Sequence, residues 1–315
     1  MIEALTFGEV MAVLRGPGPF RLGGSLSLSV AGAEGNVAIG LARLGHRVAW
    51  AGRVGADELG ELVIRTLRAE GADVSLVSVD PSRPTGLMLA ERRIGDLVRV
   101  SYYRSGSAGS QLGPADVLPA LVPGVRLLHV TGITLALSPA ARQAVTAAVE
   151  RAHDIGATVS VDVNYRARLW PPADARAALR PVIAQADLVI ASADELALVS
   201  GDGEPAVAAV AGRLLADGAT QVVVKQGADG ATAYTADGVV SHPARPVPVA
   251  DVVGAGDAFV AGYLSATLDG LAVPACLDRA AVTAAFAVAR PGDWEGLPTR
   301  AELSLLDLAA GTTVR

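Results

Sequence analysis

The run Asp251-Val-Val-Gly-Ala-Gly-Asp257-Ala-Phe259 places two glycines and a carboxylate at the start of an apolar helical pattern that extends from Ala258 to Leu268. Gly254 and Gly256 have no Cβ, so backbone N–H groups around Ala255 can converge on an anion at the helix N-terminus, and phosphate oxygens are the natural guests. Asp257 falls in the first turn, where the helix macrodipole favours the ionised carboxylate and leaves it available as a proton acceptor. An anion cradle beside a base suits phosphoryl transfer to a hydroxyl group. The same turn also opens helices for purely structural reasons. It is neither common nucleotide pattern: no G-K-[ST] follows, and the position three beyond Gly256 is Phe259.

Other segments offer partners for such a centre. In Ala31-Gly32-Ala33-Glu34-Gly35-Asn36 small residues lead into a helix and allow close backbone approach, while Asn36 either caps that helix or bonds a polar ligand. Tyr102, Tyr103 and Arg104 end a strand pattern in which Tyr102 and Arg104 face one way and Tyr103 the other. One face could grip an acidic sugar; a solvated hairpin tip reads the same way. Asp162-Val-Asn164-Tyr-Arg166 follows a core strand, where open α/β sheets place ligands, and Arg166 suits either a carboxylate or phosphate partner or a surface ion pair. Ser192-Ala-Asp-Glu195 opens a helix after another strand, near enough for a Mg²⁺ hydration shell, though capping alone explains it equally. Lys225-Gln-Gly227-Ala228-Asp229-Gly230 reads as a nucleotide-contacting turn or as a plain hairpin turn. Asp293 is acidic near a turn, and His46, His129, His153 and His242 have no metal-ligand spacing.

The elements that must hold these residues alternate. Helix Val37–Leu44, strand Val48–Val54, helix Asp57–Glu70 and strand Val74–Val79 are followed by strand Leu127–Thr131, helix Pro139–His153 and strands at Thr158–Val163, Leu188–Ala191 and Gln221–Lys225. This rhythm predicts right-handed βαβ units in a doubly wound α/β sheet. Two stretches break it: Met11 to Val30, and a hairpin of Gly86–Arg92 and Leu97–Arg104 about Gly95-Asp96. Together they predict a small antiparallel β-lid of residues 11–30 and 84–104 on a core made of 1–10, 31–83 and 105–315. A lid that closes over substrate and excludes water favours an enzyme over a scaffold.

Composition narrows the class. A chain of 315 residues with 51% apolar, 18% charged and 4% aromatic residues builds its interior from Ala, Val and Leu, as helix-covered parallel sheets do. The net charge of −6 argues against a nucleic-acid surface, and no apolar run approaches the roughly 18 residues of a membrane span. The expectation is a cytoplasmic protein with no membrane partner. Cys276, the one cysteine, sits in an apolar segment and reads as a core residue.

In this order the segments resemble the ribokinase-like (PfkB) carbohydrate kinases over essentially the whole chain. Gly32 to Asn36 through Gly45, with Gly52-Arg-Val-Gly-Ala-Asp-Glu-Leu-Gly60, is similar to the family's first signature, and Asp251 to Phe259 to its second. Tyr102-Tyr-Arg104, Ser107-Ala-Gly-Ser110, His129-Val-Thr-Gly-Ile-Thr134, Asp162 to Arg166 with Trp170, and Gly292-Asp-Trp-Glu-Gly296 most resemble members acting on 2-keto-3-deoxygluconate. The resemblance implies ATP-dependent phosphorylation of that sugar acid on its 6-hydroxyl, with Asp257 as base and the amides of Gly254, Ala255, Gly256 and Asp257 stabilising the transferring phosphate. It further implies a sugar site of Gly32 to Asn36, Met88, Tyr102, Tyr103, Arg104, Arg166, Asp257 and Asp293, with Arg104 and Arg166 answering the carboxylate. Ser192, Lys225, Gly227 to Gly230 and Gly254 to Gly256 would follow ATP, and Glu195 would meet Mg²⁺ through water. A monovalent cation stays open. Met88 stands where relatives carry an aromatic residue, Ser105 replaces a basic residue and Ser192 an asparagine. An apolar face on the protruding sheet, which a partner lid could cover, also predicts a homo-oligomer. The alternatives are a kinase for fructose, ribose or another neutral sugar, and a catalytically silent sugar-binding protein on the same fold. A nicotinamide-binding Rossmann protein ranks below both, since Leu5-Thr-Phe-Gly8-Glu9 does not supply the fingerprint that would follow the first strand.

Overall fold

The computed structural model describes residues 2–94, 97–200 and 206–308. In chain order its strands are β1 (Ala4–Phe7), β2 (Met11–Gly16), β3 (Ser27–Ala31), β4 (Val48–Ala51), β5 (Arg53–Gly55), β6 (Ser78–Asp80), β7 (Leu87–Ile94), β8 (Leu97–Tyr103), β9 (Leu127–Thr131), β10 (Thr158–Asp162), β11 (Leu188–Ser192), β12 (Gln221–Lys225), β13 (Ala231–Thr235) and β14 (Gly238–His242). Eight of them form the main sheet in the order β14-β13-β12-β11-β10-β9-β1-β4. The six from β12 to β4 run parallel, and only β13 and β14 are antiparallel.

Period-two alternation divides the apolar residues of this sheet between two cores. Leu128, Val130, Val159, Val161, Val189, Ala191, Val222 and Val224 pack against the helices Pro139–Asp154, Pro172–Ile183 and Val207–Ala216. Leu127, Leu188, Ile190 and Val223 pack on the other side against Ala33–Arg43, Glu58–Ala69, Ala255–Leu268 and Val273–Val288. Both faces are covered by helices, which is why the strands read as near-continuous apolar runs. Cys276 lies buried in the second core.

Four expectations need correction. The strand expected at Val48–Val54 breaks at Gly52, where a Cβ would stand 2.2 Å from the Trp50 ring, and Arg53–Gly55 leaves the main sheet to pair in parallel with β6. Residues 74–77, expected as strand, therefore do not join it, and only Ser78–Asp80 is extended. The small sheet has the order β3-β2-β7-β8 and is not wholly antiparallel, since β2 pairs with β7 in parallel. The turn Gly95-Asp96 lies outside the described residues. Finally, the helix expected from Val37 starts at Ala33, so the glycine-rich stretch forms its first turn and not a loop.

The small sheet is tied to the core where it enters and leaves. Asp57 caps the helix Glu58–Ala69 through the Gly60 amide at 2.8 Å and accepts both the N–H and the hydroxyl of Thr85, each at 2.8 Å, just ahead of β7. Trp294 Nε1 donates to the Val30 carbonyl at 3.1 Å, and Ser29 Oγ to Glu295 at 2.6 Å. Among the described residues no helix is long and apolar enough to cross a membrane.

Candidate active site

At the carboxyl ends of the parallel strands, the alternation that puts Leu127, Leu188, Ile190 and Val223 under the helix Ala255–Leu268 carries polar side chains to the same face two residues later. Register pairs Thr131 with Asp162 and Ser192 with Lys225, so the four stand along one edge. Lys225 Nζ donates to both oxygens of Asp162 at 2.8 and 2.9 Å. Burial works against the lysine's charge, yet Asp162 and then Glu195 outweigh it and raise its pKa. One layer deeper, His129 Nδ1 lies 3.1 Å from Ser160 Oγ. Burial, with Lys225 adding to it, pushes this imidazole down to about 3, so it stays neutral beneath the cation.

The helix Ala255–Leu268 brings its N-terminus to this edge. Gly254 takes φ 76°, and a Cβ there would lie 2.0 Å from the Asp293 carbonyl, so only glycine fits the turn. Asp251 fixes the turn by accepting the Val253 amide at 3.1 Å and, across the loop, the Gly292 amide at 3.4 Å. The first intrahelical bond is from Ala258 to Gly254, which leaves the amides of Gly256 and Asp257 without a helical acceptor. A Cβ on Gly256 would meet nothing nearer than Lys225 Nζ at 3.9 Å, so the space in front of the helix end is open. Asn36 Nδ2 donates to Asp257 Oδ2 at 2.7 Å. Burial raises the Asp257 pKa more than the bond from Asn36 and the charge of Arg166 lower it. The macrodipole argument predicted the opposite; desolvation wins, and the carboxylate is made more basic.

These groups open onto a cleft of about 670 Å³ between the main sheet and the inner face of the small sheet. Of the residues expected at a sugar site, Gly32, Ala33, Asn36, Met88, Tyr102, Arg104, Arg166, Asp257 and Asp293 line it. Met88 and Tyr102 are direct cross-strand partners on β7 and β8. Of those expected along a nucleotide, Ser192, Glu195, Lys225, Gly227, Gly254 and Gly256 line it.

Seven expected residues do not line the cleft. Glu34 and Gly35 point into the core because they belong to a helical first turn: Glu34 is 0% exposed and accepts Thr131 Oγ1 at 2.6 Å and Thr134 Oγ1 at 2.5 Å. Its pKa is raised, chiefly by burial. A Cβ on Gly35 would strike Val10 Cγ2 at 2.4 Å, so that glycine serves packing. Tyr103 points away, 62% exposed, as strand parity requires. Ala228 and Asp229 are exposed outside the cleft, while Gly230 has φ 96° with a hypothetical Cβ 2.0 Å from the His242 carbonyl, a turn role. Ala255, the first residue of its helix, is half-buried and lies between two glycines that do line the cleft.

Three further residues that do line the cleft are already engaged. Arg104 Nε donates to Glu9 at 2.7 Å, and Asp293 is bonded by Arg15 from β2. Both oxygens of Glu195 accept backbone amides, of Tyr165 and of Ser192, each at 2.8 Å. Sequence reasoning missed Glu9, Arg15 and Arg168, all of which line the cleft, as does Asn164, which belongs to the strand-end segment already singled out. Glu9 follows β1 at the carboxyl edge of the sheet, a placement that could have flagged it. Arg15 shares the inner face with Met11 and Val13 by strand parity. Asn164, in the strand-end segment, takes φ 40° while 3% exposed, and Arg168, which no sequence pattern announced, donates to the Val100 carbonyl of β8.

Residues 1–300 match the pfkB family carbohydrate kinase profile. The chain is 37% identical to a 2-dehydro-3-deoxygluconokinase of Bacillus subtilis, covering 99% of this chain and 97% of that one. It is 38% identical to a 2-dehydro-3-deoxygluconokinase of Thermoproteus tenax, covering 96% and 93%. A solved structure of a putative ribokinase II from E. coli in complex with ATP and Mg²⁺ superposes with a TM-score of 0.91 at 25% identity, over 98% of this chain and 99% of that one. The ribokinase-like fold and these full-length matches place the chain in the pfkB family, as an ATP-dependent carbohydrate kinase.

Proposed function

We propose that this kinase phosphorylates 2-dehydro-3-deoxygluconate, the same compound as 2-keto-3-deoxygluconate, on its 6-hydroxyl. The observation that carries the chemistry is Asp257, held by Asn36 at 2.7 Å at an open helix N-terminus, with burial raising its basicity. The sugar acid is supported by the two full-length relatives named for it and by Arg166, an exposed guanidinium on the cleft wall whose bond in the structure is to the neighbouring Tyr165 carbonyl.

In the reaction, Asp257 takes the proton as the 6-oxygen bonds to the γ-phosphorus of ATP, and the bond from that phosphorus to the bridging oxygen of the departing ADP breaks. The amides of Gly256 and Asp257 face the oxygens on which charge collects, and Lys225, kept cationic by Asp162, stands beside them. Met88 and Tyr102 wall the sugar from the small sheet, which we take to be a lid over residues 11–30 and 84–104. Exposed Leu28 on β3 and Ile94 and Leu97 at the tip of the hairpin would suit cover by a second copy.

Mg²⁺ fits as an ion held largely by phosphates and water. Among the described residues no three carboxylate, His or Cys groups cluster to cage a metal, and Glu195, with each oxygen accepting an amide, has lone pairs left for a water but no free carboxylate face. When bound, the ion would neutralise charge on the transferring phosphate.

The test is ATP-to-ADP turnover with Mg²⁺ on 2-dehydro-3-deoxygluconate, its galactonate epimer, fructose and ribose, with NMR of the product locating the phosphate. Turnover of the keto-deoxy acids with phosphate on C6 supports the proposal. Turnover confined to neutral sugars, unaffected by Arg166→Gln, overturns the assigned substrate and leaves the chemistry at Asp257.

A further inference from the structure

Glu9 is 1% exposed, follows β1 by two residues, and lies where the segments joining the two sheets converge. The chain passes from Glu9 through Val10 into β2. A Cβ on Gly32, just after β3, would come within 2.5 Å of the Glu9 carbonyl oxygen. A Cβ on Gly86, just before β7, would come within 2.6 Å of Glu9 Oε1, and one on Gly109 within 2.4 Å of its Cγ. Three glycines thus make room for one buried glutamate.

Its carboxylate faces Arg104, the residue that leaves β8. Arg104 Nε donates to Oε2 at 2.7 Å, and Nη2 stands 2.6 Å from the same oxygen. Nη2 is nonetheless buried without a partner of good hydrogen-bond geometry, so the guanidinium is gripped at one edge. Ser107 Oγ holds the other oxygen, Oε1, and so fixes the carboxylate plane. Arg104 in turn lines the cleft, with its Cζ 5.8 Å from the centre of the Tyr102 ring.

We infer that Glu9 is a positioning residue for the acceptor sugar: it aims Arg104 into the cleft and ties that pose to the point where the small sheet joins the core. This rests on the proposed sugar-acid substrate and on the expectation, carried by the family resemblance, that Arg104, which lines the cleft, meets it. A guanidinium whose charge is already matched by a buried carboxylate offers directed N–H groups more than net charge, so Glu9 would govern sugar affinity through geometry.

A double-mutant cycle tests it. Glu9→Gln is expected to raise the KM for 2-dehydro-3-deoxygluconate about tenfold, the scale of one lost charge-assisted hydrogen bond. The kcat and the KM for ATP should stay within about twofold of wild type. Arg104→Gln should match it, and the double variant should be no worse than Arg104→Gln alone, because residues acting as a unit are not additive. Multiplying effects, or an equal rise in the KM for ATP, would overturn the inference. Should Glu9→Gln not fold, Glu9→Asp and Ser107→Ala keep the charge while loosening its placement, and each should raise the sugar KM about two- to threefold. An unchanged sugar KM in both would also overturn it. If the wild type acts only on a neutral sugar, the substrate proposal fails, and the same cycle run on that sugar still decides the role of Glu9.

Discussion

The helix Ala255–Leu268 carries an aspartate near each end, Asp257 in the first turn and Asp269 as its C-cap. The macrodipole alone would hold Asp257 low and lift Asp269. The structure has the reverse. Asp257 is raised, mainly by burial, with the amide of Asn36 and the charge of Arg166 compensating in part. At Asp269 burial again pushes upward, but Arg300 and Arg279 outweigh it and bring the carboxyl down to about 2. Arg279 bonds Oδ2 at 2.5 Å, and Arg300 bonds Oδ2 at 2.7 Å and Oδ1 at 3.2 Å. Helix position is thus the weaker effect, and desolvation and explicit partners decide. One end of the helix leaves its carboxylate under-compensated and basic, as a proton acceptor requires. The other saturates it and pins the C-terminal segment, since Arg300 also donates to the Leu44 carbonyl at 2.6 Å.

Exchanging charge for amide at each end should give opposite results. Asp257→Asn should lower kcat/KM by about 10²–10⁴, the usual scale for a lost general base. It should also raise Tm, by roughly 2–4 °C, which scanning calorimetry at pH 7 would read. The sign follows from linkage: a carboxyl whose folded pKa lies above its unfolded value costs stability when ionised, and the amide removes that cost. A lower Tm in the variant would break the comparison.

Asn36→Ala leaves Asp257 in place but removes its donor, so kcat should fall by about tenfold with the KM for ATP unchanged. Steady-state kinetics with ATP varied would show it. An unchanged kcat would mean that the hydrogen bond does not orient the base.

Asp269→Asn should have the smallest effect on turnover, with kcat/KM within about twofold of wild type, and should lower Tm at pH 7 by roughly 2–4 °C. Because the folded pKa is depressed, the stabilisation is present above the unfolded value of about 3.8 and is lost as pH falls through about 2. The difference in Tm between variant and wild type should therefore narrow below about pH 4. A gap independent of pH would assign the loss to packing.

The sequence announced the main sheet well because its strands are buried on both faces and read as apolar runs: β9 and β12 fall at the expected residues. It failed where one residue reverses local preference. Gly52 breaks a strand against the Trp50 ring, and Gly32 caps a helix that swallows Glu34 and Gly35 into the core. In the site, it was legible that the glycine turn, Asp257 and the strand-end lysine belong together, and they line one cleft, because glycine spacing and strand ends carry their own signals. The pairings were not. That Arg104 meets Glu9, 95 positions away, and Arg15 meets Asp293, 278 away, depends on how two sheets dock, which no local pattern encodes.

The most direct measurement is the pH dependence of kcat/KM for 2-dehydro-3-deoxygluconate at saturating ATP and Mg²⁺. If burial makes Asp257 the base, the rate should fall on an acid limb centred above the ordinary aspartate value of about 3.9, and Asp257→Asn should lose both rate and limb. A rate that stays level down to pH 4, or an acid limb that survives in Asp257→Asn, would contradict it.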